Sequence, residues 1–275
     1  MTLAQALAAA QALGLARLDA QLLLLLALER GPQERAWLLA HDTDPLPPER
    51  QQRFEQLLQR RAGGEPLAYL SGTKEFFGLP LRVDARVLDP RPDTETLVEW
   101  ALELLAPLPG ASVVDLGTGS GAIALALKHA RPELRVTAVD ASADALAVAR
   151  ANAERLDLPV TFLQGSWLSP VAGRHQLIVS NPPYVTDDDP HLAALAHEPL
   201  QALASGPDGL RDIREIIAQA PAHLLPGGWL LLEQGWDQAA AVRALLAGAG
   251  FVQVQSRMDL AGIARCSGGQ WPGLG

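Results

Sequence analysis

From Ala111 onward the sequence alternates short apolar runs with amphipathic ones, and this alternation constrains the fold more than any other feature. "SVVDL" reads as a strand, "GAIALALKHA" as a helix, "RVTAVD" as a strand and "SADALAVARANAERL" as a helix. "VTFLQG" and "QLIVS" follow as strands. After an insertion from Asn181 to about Gly209 come helix "LRDIREIIAQA", strand "WLLLEQ", helix "DQAAAVRALLAGA" and strands near "FVQVQS" and "GIARC". Repeated strand–helix units build a mainly parallel sheet covered on both faces. The expected class is α/β, a doubly wound sheet, preceded by a small helical domain.

That helical domain is expected over residues 1–72. Thr2 is placed to cap a run of Ala and Leu ending near Gly14, and the run Leu22–Leu28 sits in a second helix. Pro32–Ala40 gives a third, with proline at its first position. In the fourth, "PPERQQRFEQLLQRRAGG", Phe54, Leu57 and Leu58 share a face, arginines fill the last turn, and Gly63 and Gly64 end it. Such a bundle serves either as plain packing or as a recognition module for a partner. Residues 73–92 read as a linker: "KEFFGLPLRV" turns as a hairpin at Gly78, and "DPRPDTE" makes an irregular loop because proline disfavours helix in the residue before it. Asp93 or Thr94 is then placed to cap a helix bearing Leu97, Val98, Leu102 and Leu105, the start of an α/β domain over residues 93–275.

Composition narrows the function. Lys and Arg number 22 against 31 Asp and Glu, a net charge of -9, which does not suit stable binding to a phosphate backbone. The single cysteine, Cys266, excludes an intrachain disulfide and a Cys-rich zinc site, and is expected to be structural. The leucine run is far shorter than the roughly 20 apolar residues of a membrane span, and no basic segment precedes an apolar core as in a secretory signal. A cytoplasmic protein with no membrane partner is expected.

The first chemical signal is "VVDLGTGSG". Gly117, Gly119 and Gly121 fall where a strand turns into a helix, which permits close approach of a ligand to the backbone. Asp140 ends the next strand, about 20 residues on, where an acid can accept hydrogen bonds from ribose hydroxyls. No Gly-Lys-Ser/Thr follows, so this is not a triphosphate loop. The G-x-G-x-G spacing with a strand-two acid resembles motif I of class I S-adenosylmethionine-dependent methyltransferases. Trp167, in "GSWL", is then placed to cover an adenine ring, or is an ordinary half-buried tryptophan.

The second signal is "VSNPPYV". Strand "QLIVS" is expected beside strand "SVVDL", roughly 4.8 Å away, so Asn181 emerges next to the glycine loop. Two prolines stiffen the turn and leave nearby carbonyls free; Asn181 adds a side-chain acceptor and Tyr184 a flat face. Two acceptors in one plane suit a conjugated NH2, whose delocalised lone pair needs orientation toward an electrophile. Methyl transfer to nitrogen, without a metal, follows as the expected chemistry.

Taken together, "LGTGSGAIALAL", "AVDASADAL", "IVSNPPYV", "HEPLQALASGPDGL", "LLLEQGW" and "FFGLPLRVDARVLDPRPDTETLVE" resemble the peptide chain release factor glutamine N5-methyltransferases over nearly the whole chain. The resemblance implies a seven-stranded Rossmann-like sheet and S-adenosylmethionine as cofactor. It implies methylation of the glutamine in a Gly-Gly-Gln loop of release factors, with the helical domain docking the factor's body. By matching positions, Asn181 and the Pro182 carbonyl bind the amide, and Pro183 and Tyr184 shape its slot. Gly117, Thr118, Gly119, Ser120, Gly121, Asp140 and Trp167, bordered by Asn181, line the cofactor. Arg91 is a candidate for the rim of the active site, or an ordinary surface arginine. Asp89 departs from the apolar residue the family usually places before "PRP", which puts local packing there in question. Competing expectations are the sister glutamine methyltransferase acting on a ribosomal protein, an adenine or guanine amino methyltransferase of nucleic acid, and a non-catalytic S-adenosylmethionine-binding regulator.

Overall fold

A computed structural model describes residues 1–273. The chain forms two compact units, Met1–Thr73 with Ala194–His197, and Lys74–Ala193 with Glu198–Gly275. The short segment from the late insertion joins the first unit, where the His197 ring meets the Gly63 carbonyl at 2.9 Å. Nothing in the local sequence announces that excursion.

In the first unit, α1 (Leu3–Ala12) begins at Thr2 with a reciprocal capping box. The Gln5 N–H donates to Thr2 Oγ1 at 3.3 Å, and the Thr2 N–H donates to Gln5 Oε1 at 2.9 Å. The leucine run lies in α2 (Arg17–Ala27), which buries Leu23, Leu24 and Leu25. The expected third helix is split: Pro32–Glu34 is a 3₁₀ turn leading into α3 (Arg35–Ala40). In α4 (Pro48–Ala62), Phe54, Leu57 and Leu58 are buried as the spacing implied. A five-residue helix, α5 (Leu67–Ser71), carries too little periodicity to be read from sequence. Leu3, Leu23, Leu24, Leu38 and Phe54 make the core of this unit. Among the described residues, no helix is long and apolar enough to cross a membrane.

The second unit opens with the hairpin β1 (Thr73–Phe76) and β2 (Leu79–Arg82), then α6 (Glu95–Leu105). Strands and helices alternate from there: β3 (Ser112–Leu116), α7 (Ala122–Ala130), β4 (Arg135–Asp140), α8 (Ala143–Leu156), β5 (Thr161–Gln164) and β6 (His175–Ser180). After the insertion come α9 (Arg211–His223), β7 (Leu224–Glu233), α10 (Ala239–Gly248), β8 (Val252–Met258) and β9 (Ala264–Gln270). The seven-stranded sheet has the order β5-β4-β3-β6-β7-β9-β8. Its first five strands are parallel, and β9 runs antiparallel to both β7 and β8. Buried Val113, Val114, Ile178, Val179, Leu230 and Leu231 fill the central strands, as expected of a sheet covered on both faces. Two boundaries differ from expectation: α9 continues through Pro221 to His223, and β7 starts at Leu224 rather than Trp229. A proline in the last turn of a helix loses only one backbone bond, so the chain tolerates it there.

The hairpin is part of the second unit, tied to it by polar contacts. The Phe77 N–H donates to Glu95 Oε1 at 2.9 Å. Buried Asn152, on α8, accepts from the Arg82 N–H at 2.7 Å and donates to the Arg82 carbonyl at 2.9 Å and the Ser120 carbonyl at 3.0 Å. One side chain thus joins the hairpin to the glycine loop. Asn152→Ala strands three backbone groups, each worth about 1–3 kcal/mol when left unpaired in a buried place. The expected outcome is a lowered urea midpoint, larger than that of Asn152→Asp, whose oxygen still accepts from the Arg82 N–H.

Candidate active site

The loop after β3 is built from beneath. Asp115, fully buried, accepts from the Thr118 hydroxyl at 2.6 Å and the Ala124 N–H at 3.2 Å. The Thr118 N–H donates to the Val139 carbonyl at 2.9 Å, stitching the loop to β4. Gly119 and Gly121 both have left-handed backbone, with φ of 55° and 86°. At Gly121 a Cβ would stand 3.0 Å from Leu125 Cδ1, so glycine there is required for helix packing; at Gly119 a Cβ would meet nothing within 4 Å and would project into open space.

That open space is a cavity of about 270 Å³, close to the lower end of small-molecule sites, roughly 300–1,000 Å³. Gly117, Gly119, Asp140, Trp167, Asn181 and Pro183 line it. Asp140 Oδ2 accepts from the Gly119 N–H and Oδ1 from the Ser142 N–H, both at 2.9 Å. Each oxygen of an ionised carboxylate keeps a further lone pair for a ligand hydroxyl. The cap of α8 is Ser142, whose Oγ accepts from the Ala145 N–H at 3.1 Å, so Asp140 is free of that task. Burial pushes the Asp140 carboxyl up, against the lowering effect of those backbone donors. Trp167 holds a left-handed backbone, φ 46°, uncommon for so large a residue, and its ring lies 3.4 Å from where a Gly117 Cβ would be. An acid for ribose hydroxyls, an aromatic plate and a glycine floor fit an adenosine-bearing cofactor.

The remaining glycine-loop residues are the frame of the site. Thr118 turns its hydroxyl down to Asp115, and Ser120 and Gly121 are packed inward. Side chains that the loop motif does not announce also reach the cavity: Val87 and Leu88 from the proline-rich segment, Ser142, and Pro199, Gln201 and Ala202 from the insertion.

The turn after β6 stands beside this cavity because β6 pairs in parallel with β3, with Leu116 opposite Ser180. Asn181 is half-buried, and its Nδ2 donates to Thr94 Oγ1 at 3.2 Å. The side-chain oxygen is left for other donors. Pro182 is buried, and its carbonyl has no hydrogen-bond partner among the described residues. Tyr184 is turned inward: its hydroxyl donates to Glu233 Oε1 at 3.3 Å, and its carbonyl accepts from Gln238 Nε2 at 3.0 Å. Burial and the neighbouring Glu233 charge push the Tyr184 phenol well above its usual range. Thr94 precedes α6 but makes no side-chain cap; its hydroxyl is committed to Asn181 instead.

Arg91 and Asp89 form a strap next to the site. Glu198, buried in the insertion, accepts from Arg91 Nη2 at 2.5 Å and from the Asp89 N–H at 3.1 Å. Asp89 is accommodated by Lys74 at 3.3 Å and Arg91 at 3.7 Å, so this buried acid stands between two cations. Arg91 is not among the cavity-lining residues. Thr94 and Glu233 are the site-related residues that sequence reasoning missed. The one available signal was a charged residue closing the otherwise apolar run "WLLLEQ".

Comparison with known proteins places this arrangement. Residues 94–234 match the methyltransferase small domain, and residues 2–72 match the PrmC N-terminal domain. The chain is 52% identical over 260 residues to a release factor glutamine methyltransferase of Bordetella pertussis, covering 93% of this chain and 95% of that one. To the protein of that name from Xylella fastidiosa (strain Temecula1) it is 48% identical over 273 residues, 98% of each chain. The crystal structure of a methyltransferase from Pyrococcus furiosus superposes with a TM-score of 0.54 at 20% identity, covering 81% of this chain and 99% of that one, and so shares the fold.

Burial lifts two carboxyls under the site, Asp115 and Glu233, each to about 7. Both lie above their ordinary values of 3.8 and 4.5, so the native state holds their protons more tightly than the unfolded chain. Their contribution to stability is full below the unfolded values and is lost as pH rises to about 7. Urea midpoints are expected to fall between about pH 4.5 and 7, and Asp115→Asn is expected to flatten that slope. With a glycine-floored cavity, a strand-two acid and an Asn-Pro-Pro-Tyr turn at the neighbouring strand tip, and with relatives alike from end to end, the chain belongs to the release factor glutamine methyltransferase family of class I S-adenosylmethionine-dependent methyltransferases.

Proposed function

We propose that the protein methylates the side-chain amide nitrogen, N5, of the glutamine in the Gly-Gly-Gln loop of peptide chain release factors. The observation that carries this reading is the Asn181 amide, anchored through Nδ2 on Thr94 with its oxygen left over, beside the cofactor cavity. A carboxamide nitrogen is a poor nucleophile because its lone pair is delocalised into the carbonyl. Asn181 Oδ1 and the Pro182 carbonyl are two acceptors for its two hydrogens. Gripping both sets the plane of the amide and turns its lone pair toward the electrophile, a gain of orientation that lowers the barrier. As nitrogen becomes cationic these hydrogen bonds strengthen, so they act most in the transition state. The methylated nitrogen then sheds a proton readily, with no strong base needed before attack.

S-adenosylmethionine, when bound, supplies the electrophilic methyl carbon. In this reading Asp140 receives its ribose hydroxyls, Trp167 covers the adenine, and Gly117 and Gly119 give the backbone room to approach. Thr118, Ser120 and Gly121 hold that loop in shape. Pro183 stands in the cavity wall, and Tyr184 supports the amide slot from behind. Arg91 acts at the rim by holding Glu198 and the insertion. The helical first unit is the recognition module, in keeping with its match to the PrmC N-terminal domain, and the release factor is the protein partner. A translation factor as substrate makes the cytoplasm the place of action.

Purified protein, labelled S-adenosylmethionine and a release factor test the proposal. Label is expected on the factor and not on ribosomal protein fractions or DNA, and replacing the Gly-Gly-Gln glutamine with alanine should abolish it. Asn181→Ala is expected to bind the cofactor normally while kcat falls on the order of 10²-fold, the size of losing one preorganised transition-state hydrogen bond.

A further inference from the structure

Gln238 sits where three backbone segments of the second unit meet, and the chemistry above gives it no part. It precedes α10 as its N-cap without capping it through the side chain. The Gly235 N–H donates to Gln238 Oε1 at 2.8 Å, and the Gln238 N–H donates back to the Gly235 carbonyl at 3.0 Å. An N–H can be met only by the oxygen of a side-chain amide, so the bond from Gly235 settles which end of the amide is which. The NH2 end donates to two carbonyls, that of Tyr184 at 3.0 Å and that of Asp208 at 3.3 Å. One amide thus joins the loop after β7 to the start and the end of the insertion. Gly209, next to Asp208, shows how close the junction is. Its backbone is left-handed, φ 68°, and a Cβ there would collide with both the Tyr184 oxygen and Gln238 Nε2.

The Asn-Pro-Pro-Tyr turn is held at its two ends. At the start, Asn181 Nδ2 donates to Thr94 Oγ1 at 3.2 Å. At the far end, the Val185 N–H donates to the Leu203 carbonyl at 2.9 Å and the Val185 carbonyl accepts from the Ser205 N–H at 2.8 Å. The Tyr184 carbonyl, one residue nearer the site, rests on Gln238. Between the ends stand Pro182 and Pro183, whose rings fix φ and leave each residue a single soft backbone dihedral. A segment so short of freedom passes a displacement of its end back to its beginning, so the direction of the Pro182 carbonyl depends on where the Tyr184 peptide is pinned. We propose that Gln238 is a positioning residue for methyl transfer: by fixing the Tyr184 carbonyl it aims the Pro182 carbonyl and the Asn181 amide at the substrate NH2. This rests on the reading that those two oxygens grip a carboxamide. Gln238 does not line the cavity, and it acts on the chemistry only through the turn.

The test takes Gln238→Glu, Gln238→Ala and Gly209→Ala, each alone and combined with Asn181→Ala, and follows turnover of a release factor together with calorimetric titration of S-adenosylmethionine. Gln238→Glu keeps the acceptor for Gly235 but has no NH2, and it sets a carboxylate against two carbonyls. Its kcat is expected to fall on the order of 10²-fold, the cost of a small misplacement of a gripping group, with cofactor affinity and the KM for the factor unchanged. Gln238→Ala and Gly209→Ala should lose a similar amount. In the Asn181→Ala background each is expected to cost far less, because the turn no longer has that amide to aim. Losses that multiply to within about twofold, as those of independent sites do, would overturn the assignment. So would a wild-type kcat in Gln238→Glu, or a loss confined to cofactor affinity. If Gln238→Glu and Gln238→Ala both fail to bind cofactor, Gln238 supports the domain at large and the assignment falls as well. A wild type that leaves the release factor unlabelled, or an Asn181→Ala variant that turns over normally, would instead sink the functional reading on which it rests.

Discussion

The parallel pairing of β3 with β6 is the interaction on which the site depends. β4 leaves β3 on one side and β6 lies on the other, so the chain order reverses there and opens a crevice at the carboxyl ends of the strands. The register puts Leu116 opposite Ser180, and buried Ser180 locks it by donating its hydroxyl to the Leu116 carbonyl at 2.7 Å. One residue later on each strand begin the two loops that matter, Gly117 and Asn181. A slip of one residue in this pair would reverse every side chain on β6 and take the Asn181 turn away from the cavity. The serine does at this point what an apolar residue could not, since it fixes the strands along their length as well as across it.

Each loop then stands on a buried acid. Asp115 gathers the Thr118 hydroxyl and the Ala124 N–H beneath the glycine loop, and Glu233 accepts from the Tyr184 hydroxyl beneath the second turn. Both have one oxygen without a partner, Asp115 Oδ1 and Glu233 Oε2, and both are pushed up to about 7 by burial. An apolar residue in either place would relieve that desolvation cost, and the fold would gain stability near neutral pH. What it would lose is the fixed direction of the hydroxyls above. This is the usual exchange at a working site, where local destabilisation maintains a geometry that packing alone does not specify.

The parts of the fold legible in the sequence are those dictated by neighbours along the chain. The Thr2 capping box, the Ser142 cap of α8, the buried face of α4 and the strand–helix alternation all follow from periodicity and local hydrogen bonding. The adjacency of β3 and β6 was legible too, since chain order and handedness leave few topologies. Reading failed where a residue with an obvious local role was claimed by a distant one. Thr94 has the position and chemistry of a cap, yet its hydroxyl belongs to Asn181, 87 residues away. Asn152 looks like an ordinary polar residue of an amphipathic helix, and instead satisfies backbone groups of Arg82 and Ser120. Glu233 sits in a strand whose local pattern gives no reason for an acid. In the glycine loop the motif marks the segment but not the direction of its side chains, so Thr118 and Ser120 belong to the frame while Val87 and Leu88 reach the cavity.

In the proposed reading the turn grips any conjugated NH2, which does not by itself choose a protein over a nucleic acid, so discrimination must come from what surrounds it. The second half of the insertion is the obvious variable, and it is held at both ends by buried carboxylates. Glu198 takes the Arg91 guanidinium and the Asp89 N–H at one end. At the other, Asp212 accepts from the Ser205 hydroxyl at 2.6 Å, and its own N–H donates back to Ser205 Oγ at 3.0 Å. Between these anchors Pro199, Gln201 and Ala202 face the cavity, while Leu200 points away and is 62% exposed. A buried carboxylate that must keep two donors admits few alternative positions, because releasing either one leaves charge unpaired in a poorly solvated place. The wall is therefore fixed by its ends, and residues between the anchors can change to suit a substrate without disturbing the chemistry beside them.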